Sequence, residues 1–238
     1  MPSQPTLTPR IVVLKANRFY GDTIAHHVRQ CWRGAKIEVF QKGFDALDSI
    51  QANMPDMFIT GVQIEDMDGL EHLEPFVDGR LPILVVTSRR DVRTIDLLRE
   101  LRYNGIFDVK LDGYRDFSKA LELVLDGKSY VSESFLPHMK PRRRLTLDEL
   151  TEKEAMVLSA IGDGSDDQQA ARRLNLSPRT VNTHRKAIMA KLRLHHKGQL
   201  MCYALQTGFV HITPEGIYHP GFQRLIKGLA SAKEAAGK

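Results

Sequence analysis

The 238-residue chain has two cysteines, Cys31 and Cys202, and a single tryptophan. Two thiols exclude both a disulfide framework and a four-thiolate zinc site. His27 and Cys31 stand four apart, a ligand spacing, but two ligands are too few to hold a metal. No stretch approaches the ~18 consecutive apolar residues of a membrane span. The opening MPSQPTLTPR lacks the basic start and apolar core of a secretory signal, so a cytoplasmic protein is expected. The strings G-x-x-x-x-G-K-S/T, G-x-S-x-G and H-E-x-x-H are all missing. Neither an enzyme nor a bound cofactor is therefore expected.

What is present is globular: 42% hydrophobic and 26% charged residues. The net charge of +5 is unevenly spread. Residues 1–132 hold 17 basic against 19 acidic side chains, whereas residues 133–238 hold 17 against 10. The cationic excess thus lies in the C-terminal part, where a polyanion would be met.

The first part alternates short apolar strands with helix-length amphipathic stretches. Strands are predicted at Arg10–Leu14, Lys36–Phe40, Asp56–Gly61, Pro82–Thr87 and Gly105–Lys110. Helices are predicted at Phe19–Trp32, Phe44–Ala52, Gly69–Val77, Val92–Tyr103 and Arg115–Leu125. Five βα units imply an α/β fold, a doubly wound five-stranded parallel sheet of flavodoxin-like type. The expected domain spans residues 1–132. Residues 133–148, with Pro137, Pro141 and Arg142-Arg143-Arg144, read as a linker.

From residue 149 to 211 the periodicity is helical only, predicting a smaller all-α domain with helices near 152–161, 167–174, 178–192 and 198–207. Residues 212–238 form an extension with a short helix expected at 221–235. Thr151 and Glu154 make a capping box, and Asp166 with Asp167 supplies a carboxylate at the next helix start. Asn175 suits a left-handed turn, Ser177 caps the third helix, and Pro178 occupies its first position.

Val181, Ile188 and Leu192 are expected to pack inward onto Leu158, Ile161, Leu174 and Leu200. Arg179, Thr180, Asn182, Thr183, His184, Arg185 and Lys186 take the remaining surface. A short turn followed by a capped, polar and basic helix is the arrangement of a major-groove reader. Asn182 suits adenine, Lys186 guanine and the Thr183 methyl a thymine methyl. Arg179, Thr180 and Arg185 suit phosphates, which position without specifying.

The string LTEKEAMVLSAI…QQAARRLNLSPRTVNTHRKAIMAKLRL, within Leu150–Val210, resembles the LuxR-type helix–turn–helix domain. The resemblance implies double-stranded DNA as partner, a scaffold helix at Asp167–Leu174, and a recognition helix at Pro178–Leu192. It also implies homodimers on inverted half-sites, with Asn182, Thr183 and Lys186 at base-facing positions. Gln169-Ala170 departs from the family's usual acidic residue and Ile or Val.

Preceded by βα units, this domain gives the chain a resemblance to response regulators of the NarL/FixJ type. The anchors are PDMFITGVQIEDMDGLE, ILVVTS and FDVK. That family phosphorylates an Asp ending strand three, beside a Mg²⁺ held by an acidic pair ending strand one. Here the acidic pair falls at Lys15-Ala16 and the phosphoacceptor at Gly61. Thr87 and Phe107 match the family's pocket. Lys110 matches its lysine when counted back from Tyr130-Val131-Ser132, although counting forward from Gly105 gives Asp112 instead. The expectation is an atypical, phosphorylation-independent transcription regulator controlled by abundance, an anionic ligand between Lys15 and Lys110, or a regulatory protein. Two alternatives remain: an interaction module or antagonist, and a phospho-switch using Asp66 or Asp68.

Overall fold

The computed structural model describes residues 8–64, 66, 67, 70–76, 79–139, 150–213, 216–220 and 222. The chain divides into two compact units. One takes in the residues through Arg90 together with Leu98–Lys140, the other Asp91–Leu97 and the residues from Pro141 on.

The first unit holds a parallel sheet in the order β2-β1-β3-β4-β5-β6. Its strands are β1 (Arg10–Leu14), β2 (Lys36–Phe40), β3 (Met57–Thr60), β4 (Ile83–Thr87), β5 (Gly105–Asp108) and β6 (Tyr130–Val131). There are six strands and not five: Tyr130 and Val131 pair with Gly105 and Ile106 as a short edge strand. A two-residue strand carries too little alternation to be seen in sequence.

Central strands β1, β3 and β4 are buried almost throughout, as parallel strands covered on both faces must be. Helices α1 (Arg18–Cys31) and α4 (Tyr114–Leu125) cover one face. There Ile24, Val28, Phe117 and Leu121 join Val13, Ile59, Val86 and Phe107 in one core. The unit also contains α2 (Gly43–Ala52), whereas α3 (Val92–Glu100), after β4, is divided between the units, with Val92–Leu97 in the second.

Two expectations are corrected. The α-helix predicted at Gly69–Val77 is a 3-10 segment at Glu71–Phe76, with Pro75 inside it. Proline lacks the N–H for an i→i−4 bond and clashes with the preceding turn. The segment is held by His72 Nε2 against Thr60 Oγ1 at 2.7 Å and by Phe76 packed edge-on to Phe58. Strand β5 also stops at Asp108, short of Lys110. The buried Asp108 carboxylate accepts from Lys110 N (2.9 Å), Ser134 Oγ (2.6 Å) and the Arg90 guanidinium, which turns the chain away from the sheet. A four-residue helix, α5 (Leu136–Met139), follows β6.

In the second unit lie α6 (Glu152–Ile161), α7 (Asp167–Leu174), α8 (Pro178–Lys191) and α9 (Lys197–Thr207). Val181 and Ile188 are fully buried with Leu158, Ile161 and Leu200, while Leu174 and Leu192 pack against that cluster partly exposed. At Gly162, a Cβ would stand 2.5 Å from Ala204 Cβ, so only glycine lets α6 and α9 approach this closely. After α9 the chain forms an antiparallel pair, β7 (His211–Thr213) with β8 (Gly216–Tyr218), which sequence reading missed. The helix expected at 221–235 lies outside the described residues, apart from Phe222.

Candidate nucleic-acid interface and sheet-edge pocket

Local chemistry fixes where α8 begins. Asn175 adopts the left-handed conformation (φ 52°) as the cap of α7, and the Ser177 hydroxyl accepts from Thr180 N at 3.1 Å. At the start of α7, Asp166 and Gln169 cap each other's backbone amides at 2.7 and 3.0 Å. The unusual Gln169 is thereby used as a capping-box residue. Thr151 and Glu154 do the same for α6.

Glu154 also takes Lys191 Nζ at 2.6 Å, tying the end of α8 to α6. Burial pushes its carboxyl up, but Lys191 and Thr151 outweigh this and hold it below the usual range. Asp163 behaves similarly. Desolvation raises it, while Ser165 and the Arg173 guanidinium, 2.8 Å away, bring it below its ordinary value.

The seven predicted DNA-contacting residues differ in their surroundings. Arg179, Thr183 and Lys186 are exposed. Spaced four and three apart, they share one helix face. Asn182 Nδ2 and Arg185 instead reach the same oxygen of Asp167, each at 2.9 Å. These two bonds brace α8 against α7. Thr180 shares a hydroxyl contact with Ser177 at 2.8 Å, and His184 is half-buried. The brace was not legible in the sequence, since it joins residues 15 and 18 apart through side chains. We expect Asp167→Ala to cost the helical unit about 1–2 kcal/mol, read from the shift of its urea midpoint, because two bonds to a partly buried carboxylate vanish. The His196 side chain caps α9 by accepting from Gln199 N at 3.3 Å.

At the carboxyl ends of the parallel strands, β1 and β3 are neighbours where the strand order reverses. Such an edge is where doubly wound sheets bind ligands. Lys15 leaves β1 with its amide on Phe40 O, and Gly61 leaves β3 with its amide on Leu14 O. The Lys15 side chain folds across this edge and donates from Nζ to Val86 O at 3.0 Å. Its ammonium lies only 3.1 Å from where a Cβ on residue 61 would stand. Burial lowers its pKa from 10.5 to about 8. Thr87 is buried with its hydroxyl accepting from Arg89 N, and Phe107 packs on Phe117 at 4.7 Å. Ala16 offers its carbonyl to Gln41.

Lys110 is not brought to this edge. It is exposed in the turn after β5, while Val109 and Asp112 line the cavity that contains Lys15. An anion bridging Lys15 and Lys110 has no geometric support. Asp66 is committed elsewhere: its carboxylate accepts from Gly43 N at 2.5 Å and Phe44 N at 3.1 Å, capping α2. Asp68 lies outside the described residues. His27 and Cys31 both approach Ser118, at 2.9 and 3.8 Å. Among the described residues no group of three or more His, Cys, Asp or Glu is placed to hold a metal, and no helix is long and apolar enough to cross a membrane.

Residues 148–204 match the family of bacterial regulatory proteins, luxR family, so the helical unit contains a LuxR-type helix–turn–helix domain. The chain is 27% identical over 175 residues to the response regulator protein VraR of Staphylococcus saprophyticus, covering 71% of this chain and 83% of that one. It is 26% identical over 173 residues to VraR of Staphylococcus aureus, covering 71% and 82%. Among solved structures, Salmonella typhimurium RcsB superposes with a TM-score of 0.52 at 20% identity, covering 82% of this chain and 98% of that one. A structure of two RcsB dimers bound to two parallel DNAs gives the same TM-score and identity over 83% and 98%. The chain is thus similar in its order of parts to these response regulators, with a receiver-like sheet preceding a segment that matches the luxR family.

Proposed function

We propose that this chain is a DNA-binding transcription regulator, acting in the cytoplasm as a homodimer on inverted half-sites, whose receiver-like unit does not work by phosphorylation. In this reading residues 1–132 are the receiver-like domain, 133–148 the linker and 149–211 the DNA-binding domain. Support for DNA comes from the basic face of α8: Arg179 suits phosphate, while Thr183 and Lys186 suit base edges. Dimerisation makes the second half-site contact effectively intramolecular, which a single small domain needs for useful affinity.

The observation that carries the regulatory half is the Lys15 ammonium lying against Gly61. Phosphoryl transfer to a receiver aspartate requires Mg²⁺ on hard, anionic oxygens. Lys15 puts a cation where the metal's positive charge would have to be, Ala16 has no side-chain oxygen, and Gly61 has no carboxylate to accept the group. These residues do not fit the metal. Selection from random duplexes by the purified full chain tests the DNA half. Enrichment of a paired, inverted motif is the expected result. Uniform recovery of all sequences at low and moderate salt would contradict it.

A further inference from the structure

We infer that the sheet edge around Lys15 is a binding site for a small apolar monocarboxylate, with the Lys15 ammonium holding the carboxylate and the aromatic side chains between α1 and α4 holding the body. A cavity of about 410 Å³ opens here, walled by Ile24, Val86, Phe107, Tyr114 and Phe117 with Lys15 among them. A second space, of about 250 Å³, meets it at Lys15, Val86 and Val109. The larger has the size of small-molecule pockets, which are mostly apolar with a few fixed polar groups.

Lys15 supplies the polar group. One of its three N–H bonds goes to Val86 O, and the side chain is held mostly out of water. An acceptor carrying one negative charge offsets that burial better than water at the pocket wall does. Asp112 also lines the cavity, its carboxylate accepting from Ser132, and its charge disfavours a dianion such as phosphate. His27, stacked on Tyr114 at 5.1 Å, is biased toward its neutral form by desolvation and by His26, so it adds no competing cation. Tyr20, Val109 and Tyr114 stand at the mouth with more than 40% of their surface exposed, leaving the entrance open to solvent.

The site is independent of DNA binding, so its test uses the full chain without DNA. Isothermal titration with 1-naphthylacetate, octanoate, the neutral alcohol 2-(1-naphthyl)ethanol and inorganic phosphate reads both halves of the claim. One or both carboxylates are expected to bind saturably at one site per chain, at least about tenfold more tightly than the alcohol or phosphate. Lys15→Met is expected to remove that preference. Val109→Trp, at a partly exposed wall position that disturbs no core, is expected to weaken binding of the carboxylate by about tenfold or more. Absence of saturable binding by both carboxylates overturns the inference. So does equal affinity for acid and alcohol, tighter binding of phosphate, or a preference that survives Lys15→Met.

Discussion

Replacing Arg179 and Lys186 together with alanine is expected to lower affinity for a selected operator about a hundredfold while leaving the helical unit folded. Both side chains are exposed on one face of α8, whereas the helix is anchored from its other sides by Val181 and Ile188 in the core, by Lys191 on Glu154, and by Asn182 and Arg185 on Asp167. Removing a base contact typically costs about 1–3 kcal/mol and relaxes specificity at that position, and loss of a phosphate contact lowers the salt slope by about one. The single variants should therefore differ in kind. Lys186→Ala blurs the preferred sequence, while Arg179→Ala weakens binding to all duplexes and flattens the dependence on salt. Fluorescence anisotropy across a salt series, beside urea unfolding of each variant, separates these effects. Retention of full affinity by the double variant would remove α8 as the reading helix.

Lys15→Met is expected to stabilise the sheet unit near neutral pH. Burial brings this amine from 10.5 to about 8, so the folded state disfavours the charged form. A gap of this size corresponds to roughly 3 kcal/mol, and losing the bond to Val86 returns about 1, leaving a net gain of about 2 kcal/mol. The sign follows from proton linkage. Below pH 8 both states carry the proton and the wild-type chain bears the full cost. Between pH 8 and 10.5 the unfolded state still binds the proton that the folded state has lost, so wild-type stability rises with pH. The advantage of Lys15→Met is therefore greatest at pH 7 and fades toward pH 10. Trp32, the sole tryptophan, follows α1 in this unit, and its fluorescence during urea titration of both proteins at the two pH values reports the difference. A destabilised variant at pH 7 would show that the lysine is welcome where it lies.

The helical unit was legible in sequence to within a residue or two because its signals are local. Thr151 with Glu154, Asp166, Asn175 and Ser177-Pro178 each act within one turn of where they stand, and every one caps the helix expected of it. Central strands β1, β3 and β4 were equally plain, since burial on both faces writes a continuous apolar run. What escaped depends on partners distant in sequence. Nothing local says that Asn182 and Arg185 serve Asp167, that Asp66 caps α2, or that β6 is recruited by β5. Pro75 did carry a signal, and the helix expected across it should have been broken there. At the sheet edge, the motif sets Lys15 opposite Gly61, and the Lys15 side chain does lie against that glycine. Lys110 was misplaced because Asp108 ends β5 early, and the forward count to Asp112 pointed to a residue that does line the cavity.

The account turns on a cation standing where a receiver would need carboxylates and a divalent metal. Intact mass of the full chain after incubation with acetyl phosphate and Mg²⁺, read beside its operator affinity before and after, tests that most directly. Unchanged mass and unchanged affinity are the expected results. A stable gain of one phosphoryl group on an aspartate of the β3 edge, accompanied by tighter DNA binding, would contradict it.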